Sequence, residues 1–440
     1  MRQLIKLGIE KNNRFVELAL TLPFLIIIIL MGLPIAFAIA FVALVLLMIS
    51  GVDLIISAQR FYYGLQSFPL LSIPLFILAG IIMEKSDISL RLVNFATAIV
   101  GQLKGGLAMV NIITSMFFAG MSGTSMSDTA AVGKIMIPPM KAKGYSAEFT
   151  GAVTASSSTI GIIIPPSIPM IILASYMGIS TGALFFAGFL PGLLLTFLLC
   201  FVSWLISIKN NYPVESLFSI KTLIKTFLEA TPALIMPFII LGGILSGVFT
   251  PTEASSVAVV YGLCVGRFYY KKLNLKLTYE IFLEASILTG AVMLVVAAAH
   301  VLGFAFTYMG FADTLLKNIS MGEMQTELFL ILMSLVLIIF GTFLDGIAMM
   351  YVTLPLFLPL IEVLGIDPIQ FAMIVIICWG IGQQTPPVAA ALFVTCEIAK
   401  VDMFKLTVAN IPFIITMILV LLIVVYFPQI STYIPNRYFS

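Results

Sequence analysis

Apolar residues fall in long runs along the whole chain, among them Leu18 to Met48, Ala233 to Leu245, Leu328 to Phe343 and Phe413 to Val425, with short polar stretches between. A spanning helix takes about 20 residues, so the chain has material for roughly a dozen crossings. Several runs are short or are broken by Gly and Pro, and no sizeable soluble domain fits between them. The pattern predicts an all-α polytopic membrane protein.

Composition sharpens this picture. Over 440 residues the chain is 61% apolar and 10% charged, against about half apolar and a quarter charged for a soluble domain. This is a transporter or channel composition more than that of an anchored enzyme. The segment 1–17 carries Arg2, Lys6, Lys11 and Arg14, and the apolar stretch after it is too long for a secretory signal, so it is expected to stay in the mature protein. Cys200, Cys264, Cys378 and Cys396 stand singly with no CxxC spacing, which argues against a disulfide framework and a zinc site. A net charge of +2 gives no hint of a nucleic-acid partner.

Two connecting segments are basic, one with Lys209, Lys221 and Lys225, the other with Arg267, Lys271, Lys272 and Lys276. The positive-inside rule places both in the cytoplasm. Thr231 to Gly266 then has to cross and return, as two short segments meeting near Thr250-Pro251-Thr252. The expected organisation is a basic N-terminal segment 1–17, a first membrane half 18–208, a basic connecting loop 209–230 and a second membrane half 231–440.

One pattern occurs in each half. The first copy reads GTSMSDTAAVGKIMIPPMKAKGY followed by GIIIPPSIPM, and the second reads GTFLDGIAMMYVTLPLFLPLIEVLGI followed by GQQTPPVAAALF. Gly144 to Gly161 spans 17 positions and so does Gly365 to Gly382; a Pro-Pro pair begins 4 positions later in both. Upstream, Gly123 to Gly144 is 21 positions and Gly341 to Gly365 is 24, which suggests an insertion of one helical turn in the second copy. An internal duplication of this kind is characteristic of secondary transporters.

Two prolines remove two amide donors and clash with the preceding turn, so a regular helix does not run through them. The carbonyls they free are tolerated at membrane depth only inside protein or beside a wet cavity. They are hard oxygen ligands suited to a small cation, which makes the breaks candidate Na⁺ sites; a kink that only shapes packing is the alternative. Ser122, Thr124, Ser125, Ser127 and Asp128 crowd the segment before the first break, and Asp345 is a lone carboxylate before the second. Ionisable groups inside membrane segments mark function by default, although packing by small residues and helix capping also account for such positions.

The motifs GMSGTSMSD, IIIPPSIPM, TPTEAS and QTPPVAAALFV resemble those of the large membrane subunit of tripartite ATP-independent periplasmic (TRAP) transporters, and the resemblance covers nearly the whole chain. It implies inverted repeats with two broken-helix hairpins, and an elevator-type mechanism in which a transport domain slides against a scaffold. The implied location is the bacterial inner membrane, the implied partners are a small four-helix membrane subunit and a periplasmic substrate-binding protein, and the coupling ion is Na⁺. Carried over, a first sodium site uses Ser122 and Thr124 with backbone at Gly161, Ile164 and Pro166. A second uses Asp345 and the break around Thr385, and substrate sits near Ser125, Ser167 and Thr385. The implied activity is sodium-coupled uptake of a small organic anion, with a C4-dicarboxylate or a sialic-acid-like sugar acid as default substrate. One departure bears on substrate: relatives commonly carry an Arg soon after the position of Gly303, whereas this chain reads GFAFTYMGFADTLL.

Two rivals remain. Gly120-Met121-Ser122-Gly123 matches the GxSG motif of rhomboid-type intramembrane serine proteases, with His300 as general base, but that reading leaves the repeated breaks unexplained. An ion channel also uses hydroxyls and carbonyls. No GxxxxGK[ST] motif supports an ATP-driven pump. Glu253 in TPTEAS reads as a helix cap or as a gate.

Overall fold

The computed structural model describes residues 20–21, 23–29, 31–310 and 325–439. The basic segment 1–17 and the end of GFAFTYMGFADTLL lie outside them. Among the described residues every regular element is helical. Seven helices among the described residues are long and apolar enough to cross a membrane, or eight if the bent pair Ala147–Ile163 and Ile168–Met177 is one span.

Residues 20–21 and 23–29 are helical, and after them come α1 (Ile35–Ile49), a short α2 (Leu54–Tyr63), α3 (Ser72–Lys85) and α4 (Ile88–Val100). The first repeat follows as α5 (Gly106–Ser122), α6 (Ser125–Ala142), α7 (Ala147–Ser158), α8 (Ile160–Ile163), α9 (Ile168–Met177) and α10 (Thr181–Lys209). Between the repeats lie α11 (Ile220–Leu245), α12 (Pro251–Cys264) and α13 (Leu275–Tyr308). The second repeat comprises α14 (Thr326–Phe343), α15 (Gly346–Val363), α16 (Pro368–Gly382), α17 (Ala390–Ala399) and α18 (Met403–Tyr426), and α19 (Gln429–Tyr438) closes the chain.

Two expectations are corrected here. The connecting loop is shorter than 209–230, because Ser219 caps α11 by accepting the Thr222 amide at 3.4 Å and helix begins at Ile220. Lys221 and Lys225 therefore sit in the first turns of a 26-residue helix, and the return through α12 is the short one. The one-turn insertion is also absent. Both helices that follow the hairpin tips, α6 and α15, are 18 residues long. Their N-caps are Thr124 and Asp345, 221 positions apart, the same separation as Gly144 from Gly365 and Gly161 from Gly382. The structural partner of Thr124 is thus Asp345, and the second Gly-Thr pair lies one turn too early to match the first. Ser146 and Asp367, which cap α7 and α16, keep the same 221-position interval.

Contacts at the ends fix the direction of each copy. The start and end of the α5–α6 hairpin lie against the basic connecting segment, through Gly105 N–H to the Pro213 carbonyl at 3.1 Å and Lys143 to Glu215 at 3.6 Å. Lys141 donates to the Ala399 carbonyl at 2.8 Å, so the end of α17 is on that side too. Lys85 pairs with Glu284 at 3.3 Å and Lys272 with Asp87 at 2.5 Å on the same basic edge. By the positive-inside rule this side is cytoplasmic. α18 starts there after α17, and its far end holds the start of α16, where Gln370 Nε2 donates to the Val424 and Val425 carbonyls at 3.1 Å each. The α14–α15 hairpin, which leads into α16, therefore opens to the periplasmic side. The two copies are inverted, with tips approaching from opposite faces.

Candidate functional site

The first tip is built by a chain reversal between α5 and α6. Gly123 ends α5 in the left-handed region at φ 66°, and Thr124 turns back to extended backbone and caps α6 by accepting the Ser127 amide at 3.3 Å. A side chain at Gly123 would be strained by that φ, and its Cβ would lie 2.9 Å from the Pro166 carbonyl oxygen. The close approach lets Ile168 N–H donate to the Gly123 carbonyl at 3.1 Å. The hairpin tip and the Pro-Pro break are thereby joined.

Asp128, one turn into α6, lies at the centre of this junction and is fully buried. Ser122 donates its hydroxyl proton to Asp128 Oδ1, while Oδ2 has no hydrogen-bond partner. Oδ2 faces Gly161, where a Cβ would run into the carboxylate. A buried carboxylate oxygen without a donor is costly, and a small cation seated beside it offsets that cost. Ser122, Thr124, Gly161 and Pro166 are thus brought together around Asp128. Ile164 caps α8 with extended backbone and packs its side chain on Gly192 of α10.

The second break is built differently. Val388 N–H donates to the Thr342 carbonyl at 3.1 Å, so tip and break are again joined. Where Asp128 would recur stands Met349, and Gly382, the counterpart of Gly161, packs against the Gly341 backbone. The carboxylate moves to the cap: Asp345 Oδ2 accepts the Ile347 amide at 3.2 Å and the side chain is exposed. Thr385 is half-buried and donates to the Ile381 carbonyl at 2.9 Å. Pro386, Pro387 and Val388 are exposed, whereas Pro165, Pro166 and Ser167 are buried.

Ser125 and Ser167 are buried with their hydroxyls engaged. Ser125 lies 3.0 Å from the Ser158 hydroxyl, and Ser167 donates to the Ile162 carbonyl at 2.7 Å while capping α9. The protease pair does not form: the Ser122 proton goes to Asp128, and the His300 ring lies 5.9 Å from that of Tyr176 and 5.3 Å from that of Tyr351. Glu253 is a cap, completing a capping box with Thr250.

A buried amide relay between the two repeats went unread in the sequence. Gln384, beside the second break, donates through Nε2 to Thr159 Oγ1 at 2.7 Å and to the Ala155 carbonyl, both on the stretch leading to the first break. Asn410 of α18 donates to Gln384 Oε1 at 3.0 Å and accepts from Ser156 at 2.5 Å. The available signals were a second Gln before Thr-Pro-Pro and a lone amide in the apolar run after Val408.

Residues 22–430 match the family described as the tripartite ATP-independent periplasmic transporter, DctM component. The chain is 37% identical to an uncharacterized protein YgiK of Salmonella typhimurium, covering 94% of this chain and 95% of that one. It is 34% identical to the sialic acid TRAP transporter large permease protein SiaM of Vibrio cholerae, over 92% of this chain and 96% of the relative. A C4-dicarboxylate TRAP transporter large permease protein DctM of Pseudomonas aeruginosa is also 34% identical, over 90% and 92%. The solved YdaH transporter of Alcanivorax borkumensis shares the fold, with a TM-score of 0.63 at 12% identity over 87% of this chain and 88% of that one.

Proposed function

The chain belongs to the DctM-component family of tripartite ATP-independent periplasmic transporters, a multi-pass permease of the bacterial inner membrane and not an enzyme, and from that membership we propose that it couples uptake of a small organic anion to sodium. The observation that carries the sodium reading is the buried Asp128 carboxylate, whose Oδ2 lacks a donor beside the first break. A hydroxyl, freed carbonyls and one carboxylate form a hard oxygen set that suits a small monovalent cation. Asp345 and Thr385 at the second break supply a more open set of the same kind. The inverted hairpins support an elevator in which they move together, with α3 and α11 to α13 as scaffold. A small membrane subunit and a periplasmic binding protein, implied by the family, complete the transporter. Sialic acid and C4-dicarboxylates, the cargo named for the two permeases above, make a carboxylate-bearing anion the proposed substrate class.

The test is uptake of labelled succinate and of N-acetylneuraminate into proteoliposomes holding the complete transporter, with its binding protein outside. Sodium outside should drive accumulation and potassium should not. Asp128→Asn should raise the half-saturating sodium concentration at least tenfold at equal protein abundance. Equal uptake in potassium and sodium would remove the coupling, and an unchanged sodium dependence in Asp128→Asn would remove this site.

A further inference from the structure

A second polar cluster lies apart from both breaks, where α2, α9, α13 and α15 converge. α13 starts at Leu275 on the basic cytoplasmic edge, and His300 is 25 residues further on, about 38 Å along the helix. That places His300 and Phe304 towards the periplasmic face. The Thr252 hydroxyl, in the first turn of α12 at its outer end, donates to the Phe68 carbonyl at 3.4 Å, which puts the chain just after α2 on the same side.

At this level the Arg60 guanidinium stands over the Phe304 ring, 4.3 Å from its centre. Arg60 forms no ion pair among the described residues, and its side chain is exposed. Contact with a ring face holds the cation without using the N–H fork that matches a carboxylate. One turn before Phe304, and so on the same side of α13, His300 lies half-buried against the tyrosines. Tyr176 and Tyr351 meet edge to face at 4.9 Å, which joins the helix after the first break to the helix after the second tip. Tyr351 is 1% exposed, and its hydroxyl has no hydrogen-bond partner. Polar groups therefore run inward from an exposed cation, past a half-buried imidazole and phenol, to a buried hydroxyl that lacks a partner. Tyr351 is six residues past Asp345, about 9 Å along α15.

The geometry points to Arg60, His300 and Tyr351 as the recognition point for a carboxylate of the transported anion on its periplasmic side. Arg60 supplies charge and a bidentate fork, His300 a ring N–H, and Tyr351 a hydroxyl that an oxygen of the ligand satisfies. The assignment rests on the organic-anion reading above and adds to it the residues that select for a carboxylate. It also makes His300 a contribution of the scaffold helix α13, Arg60 a contribution of α2 packed against it, and Tyr351 a contribution of the second hairpin.

The experiment uses the complete transporter in proteoliposomes with its binding protein, and succinate, N-acetylneuraminate and isethionate as probes. For whichever carboxylate the wild type carries, Arg60→Gln should raise KM for the anion at least tenfold, with the half-saturating sodium concentration and protein abundance unchanged. Arg60→Lys should recover part of the loss and Tyr351→Phe should raise KM severalfold. An unchanged KM in Arg60→Gln, with sodium-driven uptake intact, overturns the assignment while leaving the function reading in place. If Arg60→Gln instead raises only the binding-protein concentration needed for half-maximal uptake, the arginine docks that protein and the assignment is again overturned. A wild type that carries isethionate and neither carboxylate refutes carboxylate selection alone. Uptake of none of the three overturns both readings.

Discussion

Asn410 donates to the Gln384 side-chain oxygen at 3.0 Å, and through this bond α18 holds the residue that bridges to Ala155 and Thr159. Both amides are fully buried, so each depends on the other for one of its hydrogen bonds. Removing one partner leaves the other unsatisfied, at a cost of about 1–3 kcal/mol.

Gln384→Leu and Asn410→Leu should each lower the unfolding temperature of the detergent-solubilised protein. The double variant should lose less than the sum of the two, because the second substitution removes a group already stranded by the first. Additive losses would show that the two amides do not act as a unit.

Gly161→Ala should weaken sodium binding as strongly as Asp128→Asn, since the new methyl collides with Oδ2 and displaces the carboxylate. Ser122→Ala removes one hydrogen bond to Oδ1 and leaves the charge, so its effect should be smaller, about a fewfold. Sodium titrations of uptake rank the three variants, and a larger effect from Ser122→Ala than from Asp128→Asn would contradict the central place given to the carboxylate.

Asp345→Asn keeps the oxygen that accepts the Ile347 amide and loses only charge. Thermal stability should therefore stay within about 0.5 kcal/mol of wild type while sodium-driven uptake falls. Wild-type uptake from a normally inserted variant would leave Asp345 as a cap alone.

Single cysteines at Ser167 and Val388, in a background without the four native cysteines, should label unequally. Val388 is 42% exposed and Ser167 is fully buried, so a membrane-impermeant thiol reagent should reach the former and spare the latter. Sodium with substrate should change the ratio if the breaks move, and indifference to both ligands would favour a static kink or a channel.

The membrane class, the duplication and the two breaks were legible in the sequence because each depends on a local rule, apolar run length or proline chemistry. Register at the tips was not. Gly-Thr occurs in both copies, but the turn is set by the residue that caps the next helix, and Asp345 performs that task in place of a hydroxyl. The focal role of Asp128 required knowing that Ser122 reaches only one of its oxygens. The amide relay and the Arg60 cluster join residues far apart in the chain, and no periodicity or spacing signals such a meeting. The segment GFAFTYMG has no arginine of its own, yet a guanidinium from α2 stands on its second residue.

Equal hairpins from opposite faces have an electrical consequence. Each tip is followed by an 18-residue helix, about 27 Å long, in a hydrocarbon layer about 30 Å thick. Each hairpin helix is thus long enough to carry its tip most of the way across the hydrocarbon layer from its own face. A sodium ion that travels with both hairpins in an elevator step is expected to pass through part of the membrane potential, worth about 2.3 kcal/mol per elementary charge per 100 mV for a full crossing, so that uptake steepens with an imposed inside-negative voltage.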